Sequence, residues 1–65
     1  MSEIKAYKEL SEYLSNDGKR VATVVKEIGT KRFIVRMKND SGSYFTASCN
    51  GEEEAEAIAE EWVQS

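Results

Sequence analysis

The side chains of this 65-residue chain with reactive or ligating potential are one cysteine, Cys49, six glutamates between Glu52 and Glu61, and the cations Arg32, Arg36 and Lys38, with Tyr44 close behind. A cysteine nucleophile works as the thiolate and needs a base or cationic surroundings to form it. The chain has no histidine, so a thiol and imidazole pair is ruled out, and so is a zinc set of cysteines and histidines. Cys49 therefore reads as a small core residue. The glutamates could hold a hard cation, but no loop with calcium-ligand spacing accompanies them. Both aspartates, Asp17 and Asp40, stand in turn signatures. With no tuned acid, base or metal, the expectation is a non-enzymatic protein with no catalytic residue, metal or cofactor.

Charge is sorted along the chain. Seven of nine basic residues lie between Lys19 and Lys38, and with Glu27 subtracted that stretch stands at +6; Glu52 to Glu61 carries six of twelve acidic residues, under a net charge of -3. Such asymmetry bears on partners rather than on fold. The length allows one domain, residues 1–65, and a composition 40% hydrophobic and 32% charged is that of a folded chain rather than a disordered one. A lone cysteine cannot form an internal bridge, which makes a reducing cytoplasm the expected location. Met1 to Lys5 lacks the basic start and apolar run of a signal peptide, and no apolar stretch approaches a bilayer's thickness.

The elements that must position these groups follow from periodicity. Ile4, Tyr7, Leu10 and Leu14 recur at helical spacing, with Ala6 and Tyr13 at one edge, and predict a surface helix from Glu3 to Leu14, started by Ser2 and stopped at Asn16-Asp17-Gly18. Val21 to Ile28 and Arg32 to Lys38 are rich in β-branched residues and predict a hairpin turning at Gly29-Thr30. That turn places Glu27 opposite Arg32, Val25 opposite Ile34, Val24 opposite Val35, Thr23 opposite Arg36 and Ala22 opposite Met37. After the turn cluster Asn39-Asp40-Ser41-Gly42, Ser43 to Cys49 alternates as a third strand with Phe45, Ala47 and Cys49 inward. Asn50 reads as the cap of a second helix whose stripe is Ala55, Ile58, Ala59 and Trp62, with Val63 at its edge. The expected fold is α+β, in the order α-β-β-β-α, with a three-stranded antiparallel meander and both helices on the Phe33, Val35, Phe45 face.

The opposite sheet face then collects Val25, Arg32, Ile34, Arg36, Lys38 and Tyr44, an apolar centre with a cationic rim, joined by Val21. Arginine and tyrosine are favoured at interfaces. The leading expectation is a small binding or regulatory module that docks a protein partner, or a second copy of itself, through these residues. One alternative is nucleic-acid binding, with the cations on phosphate and Tyr44 as a stacking platform; the acidic total and Glu27 opposite Arg32 count against it. Another is an inhibitor whose C-terminal helix imitates phosphate with its line of carboxylates. Neither a membrane nor a small-molecule substrate is expected.

In helix, meander, helix order the chain resembles the double-stranded-RNA-binding domain. That family opens its second helix with Lys-Lys-x-Ala-Lys, which grips phosphate; Glu52-Glu53-Glu54-Ala55-Glu56 keeps only the alanine. The resemblance therefore implies a shared architecture without the RNA contact. In size and acidity the chain is also similar to short accessory proteins of bacteria and their phages.

Overall fold

In the computed structural model, which describes residues 6–64, four strands precede one helix. They are β1 (Tyr7–Leu14), β2 (Val21–Glu27), β3 (Phe33–Lys38), β4 (Tyr44–Cys49) and α1 (Glu52–Gln64). The strands form one antiparallel sheet in chain order. The helix packs on one side of it, chiefly over β2 and β3. Cα extents of 42 × 25 × 14 Å give a thin two-layer slab. Its core joins Ala22, Val24, Val35, Met37 and Cys49 of the sheet to Ala55, Ala59 and Val63 of the helix. The fully buried alanines let the helix backbone lie close on the sheet.

The β2–β3 register is the one expected from a turn centred on Gly29-Thr30, with Val25 opposite Ile34, Val24 opposite Val35 and Ala22 opposite Met37. The turn is built differently. Glu27 N–H donates to Arg32 O at 3.1 Å, and Thr30 N–H to Glu27 O at 3.4 Å. Ile28 and Gly29 are thus its central pair, and Gly29, at φ 90°, takes the position that demands a left-handed residue. Pairing is unchanged because the loop spans the same residues. Between β3 and β4, Asn39 Oδ1 accepts from Ser41 N–H at 3.1 Å and Ser43 N–H at 3.0 Å, which ties the turn together through one side chain.

The first element corrects the expected helix. Tyr7 to Leu14 is an edge strand paired with β2, so the sheet has four strands, one helix covers it, and the topological likeness to the RNA-binding domain lapses. The expected cap Ser2 and the residues Glu3 to Lys5 lie outside the described residues. The register shifts between Glu9, opposite Val25, and Ser11, opposite Val24. This β-bulge absorbs Leu10 and explains part of the misleading periodicity; Tyr7 and Leu14, the other described members of the expected stripe, face the opposite side. With one extra residue inserted, Leu10 and Tyr13, three apart, both pack against the core on the helix side, as an i, i+3 pair would in a helix. Tyr7, Glu9, Glu12 and Leu14 take the other side.

Asn16-Asp17-Gly18 ends a strand rather than a helix. Ser15 N–H donates to Arg20 O at 3.0 Å, Gly18 N–H to Ser15 O at 3.0 Å, and Asp17 Oδ1 accepts from Ser15 Oγ at 2.6 Å and Lys19 N–H at 3.0 Å. The Ser15 hydroxyl and then the Lys19 amide hold the Asp17 carboxyl below its ordinary pKa. A depressed carboxylate contributes stability above its unfolded pKa and loses that contribution as pH falls through the folded one. The Asp17 carboxyl carbon should therefore titrate by NMR below a free aspartate, and Ser15→Ala should raise its midpoint; an unshifted midpoint in the parent would contradict the turn geometry.

At the helix start Ala55 N–H donates to Gly51 O at 3.1 Å, so Gly51, not Asn50, occupies the capping position. Glu52, Glu53 and Glu54 in the first turn favour the positive end of the dipole. The last turn has no basic residue of its own. Arg20, from the approach to β2, serves instead: its Nη1 donates to Trp62 O at 3.0 Å and its guanidinium stands 5.4 Å from the Trp62 ring centroid.

Candidate functional site: the open sheet face

With α1 on one side, the other face of the sheet lies open, and the registers order it in lateral rows. One row runs Leu14, Val21, Lys38, Tyr44; the next Glu12, Thr23, Arg36, Thr46; the third Glu9, Val25, Ile34, Ser48; Tyr7 and Glu27 begin a fourth. Arg32 immediately precedes β3 and, by alternation with Ile34, shares the face. Of the residues read from the sequence as a docking patch, Arg32, Arg36, Lys38 and Tyr44 are exposed and Ile34 is half-buried.

Val25 departs from that reading. It is only 3% exposed and lies beneath the surface. Its cover follows from the grid. Tyr7 is opposite Glu27 and Arg36 opposite Thr23, on the two sides of β2. The Arg36 guanidinium nevertheless stands 5.3 Å from the Tyr7 ring centroid, so this cation–π pair must cross β2 above Val25. At the far row Lys38 Nζ lies 5.5 Å from the Tyr44 ring centroid. Arg36 and Lys38 are thus held against aromatic faces of the chain itself.

The four residues that β1 adds, Tyr7, Glu9, Glu12 and Leu14, are absent from the sequence-derived patch because that segment reads as a helix. A signal for them existed: Tyr7/Glu9 and Glu12/Leu14 each keep strand alternation on either side of the bulge. Their arrival changes the electrostatics of the face. Glu9, Glu12 and Glu27 occupy its β1–β2 half, and Arg32, Arg36 and Lys38 its β3 side. A cationic rim becomes an acidic half beside a basic half. It also acquires Leu14, 61% exposed, in the same row as Tyr44, 69% exposed; no other large apolar side chain among the described residues is as exposed as either.

Elsewhere Phe45, expected in the core, shares the helix side with Met37 but remains 48% exposed, since α1 sits chiefly over β2 and β3. Cys49 is buried, and burial, then Glu54, pushes its thiol pKa up; a protonated, covered thiol is a poor nucleophile. Burial, then Glu56 and Glu60, likewise raises the Tyr13 phenol pKa. Among the described residues no three acidic or cysteine side chains cluster as metal ligands, and no helix is long and apolar enough to cross a membrane. Compared with protein-family models, with curated proteins and with solved structures, the chain matches none.

Proposed function

We propose that this chain is a non-enzymatic binding module that docks a protein through its open sheet face. The observation that carries this reading is the row Leu14, Val21, Lys38, Tyr44, whose two ends are, among the described residues, the most exposed large apolar side chains, on the face opposite α1. Apolar groups set among charged ones make the composition of a contact surface. Val25 supports it from beneath; Arg32, Ile34, Arg36, Lys38 and Tyr44 supply the contacts, with Leu14, Glu9 and Glu12 added by β1. The buried, unbridged Cys49 fits action in a reducing compartment such as the cytoplasm. Nucleic-acid binding is the weaker reading, because Glu9, Glu12 and Glu27 balance the three cations of the same face.

Leu14→Glu with Tyr44→Glu tests the docking reading while leaving the core intact, both positions being largely exposed. A bound protein should lose roughly thirtyfold in affinity, the size of a hot-spot truncation, with an unchanged circular dichroism spectrum. Glu53→Lys on the helix should leave binding in place. The reverse pattern, with binding lost only on Glu53→Lys, would transfer the activity to the acidic helix. Binding that survives in both would remove the face from consideration.

A further inference from the structure

We propose that the occupant of this face is a second copy of the chain, packed face to face about a two-fold axis parallel to the strands and running between β2 and β3; the inference rests on the open face being the docking surface. The charge layout carries it. Among the described residues, all three acids of the face, Glu9, Glu12 and Glu27, stand on β1 and β2, and all three cations, Arg32, Arg36 and Lys38, on or just before β3. A surface split in this way is complementary to itself, which is what a symmetric dimer requires.

The same layout selects the axis. A two-fold parallel to the strands lays β1 of one copy over β4 of the other and β2 over β3, with every row kept in place. Glu12 and Glu9 then stand diagonally beside the partner's Lys38 and the partner's Arg32. Leu14 comes over the partner's Tyr44, and symmetry repeats the contact, so that the two most exposed large apolar side chains among the described residues cover each other twice. An axis across the strands would set β1 on β1, acid against acid, which is repulsive. Aligned packing of two twisted sheets accommodates the strand-parallel arrangement.

Size sets the strength. Strands ~4.8 Å apart with residues rising ~3.3 Å make the four-stranded face about 400 Å² in projection, so two copies remove on the order of 1,000 Å² from water, at the lower edge of specific interfaces. The dimer should accordingly dissociate near 10 μM, as an order of magnitude, and loosen with added salt.

Sedimentation equilibrium on the full chain tests this with two charge-reversed variants, Glu9→Lys/Glu12→Lys and Arg32→Glu/Lys38→Glu, all at exposed positions. Arg36 is left alone because its stack covers Val25. Each variant by itself should dimerise at least about thirtyfold more weakly than the parent, on the scale of interfacial charge-pair losses. An equimolar mixture should restore the parental affinity as a heterodimer, since every clash becomes a match. A parent chain that stays monomeric to about 1 mM overturns the second copy, while docking of another protein would still stand or fall on Leu14→Glu/Tyr44→Glu. A dimer that ignores the reversals, or a mixture that restores nothing, overturns it too. So does a dimer broken only by Thr46→Pro, which would place the contact on the free edge of β4. If a reversed variant loses its circular dichroism, Glu12→Gln and Lys38→Gln carry the test, each expected to weaken the dimer several-fold, and no change in either overturns the proposal.

Discussion

Val25→Asp should cost on the order of 3–4 kcal/mol, the scale of an unpaired charge left in a buried site. A 65-residue domain has about 3–10 kcal/mol in total at 0.05–0.15 kcal/mol per residue, so much of the population should unfold. The size follows from burial, not from the strand pattern, which puts Val25 on the open face with Thr23 and Ile34. Val25 is 3% exposed because the Arg36–Tyr7 stack crosses above it. Urea denaturation should show a lower midpoint at an unchanged slope. Ser48→Asp, in the same row but exposed at the β4 edge, should shift stability by no more than about 0.5 kcal/mol. The penalty should also shrink in acid, because burial raises the folded pKa of the new carboxyl and protonation removes the charge as pH falls through it. Equal costs at the two positions would mean that the stack does not close over β2.

The same pair of residues marks where the sequence was legible. Strand alternation from Ala22 to Met37 fixes faces and register together, because slipping by one residue would turn Val24 and Val35 out to water. The helix was legible for a similar reason: Ala55, Ala59 and Val63 form its buried stripe. The N-terminal segment was not legible, since a bulge at Leu10 gives a strand the three-residue spacing of a helix, and Asn16-Asp17-Gly18 suits a helix stop and a hairpin turn equally. That single ambiguity propagated into the candidate site. With β1 counted as a helix on the covered side, Glu9 and Glu12 vanish from the open face, which then looks cationic, and Val25 loses the neighbour that buries it. Phe45 shows a different limit: alternation assigns the correct side but cannot say how far one helix reaches across four strands. Long-range pairs such as Arg20 with Trp62 and Arg36 with Tyr7 leave no local pattern at all.

Trp62→Ala should lower the unfolding free energy by about 3 kcal/mol, near the bottom of the range for large aromatic truncations because the ring is only half-buried. For a chain of this size that corresponds to a fall of roughly 12–24 °C in the thermal midpoint. The ring packs on the sheet core at the end of α1, beneath the Arg20 guanidinium, which also donates to the Trp62 carbonyl at 3.0 Å. Arg20→Ala should cost about 1 kcal/mol, since a charge-assisted bond to a helix C-terminal carbonyl is removed along with the stack. Trp62→Ala keeps the carbonyl and loses only the ring, so the double mutant isolates the stacking part, expected at about 0.5–1 kcal/mol of coupling. Zero coupling with large single costs would assign Arg20 to the carbonyl alone. Coupling of the expected size would make Arg20 the cation that the last turn of α1 lacks, supplied from the segment that leads into β2. It would also give one of the seven basic residues between Lys19 and Lys38 a fixed structural duty on the covered side, leaving six for contact with a partner, three of them, Arg32, Arg36 and Lys38, on the open face.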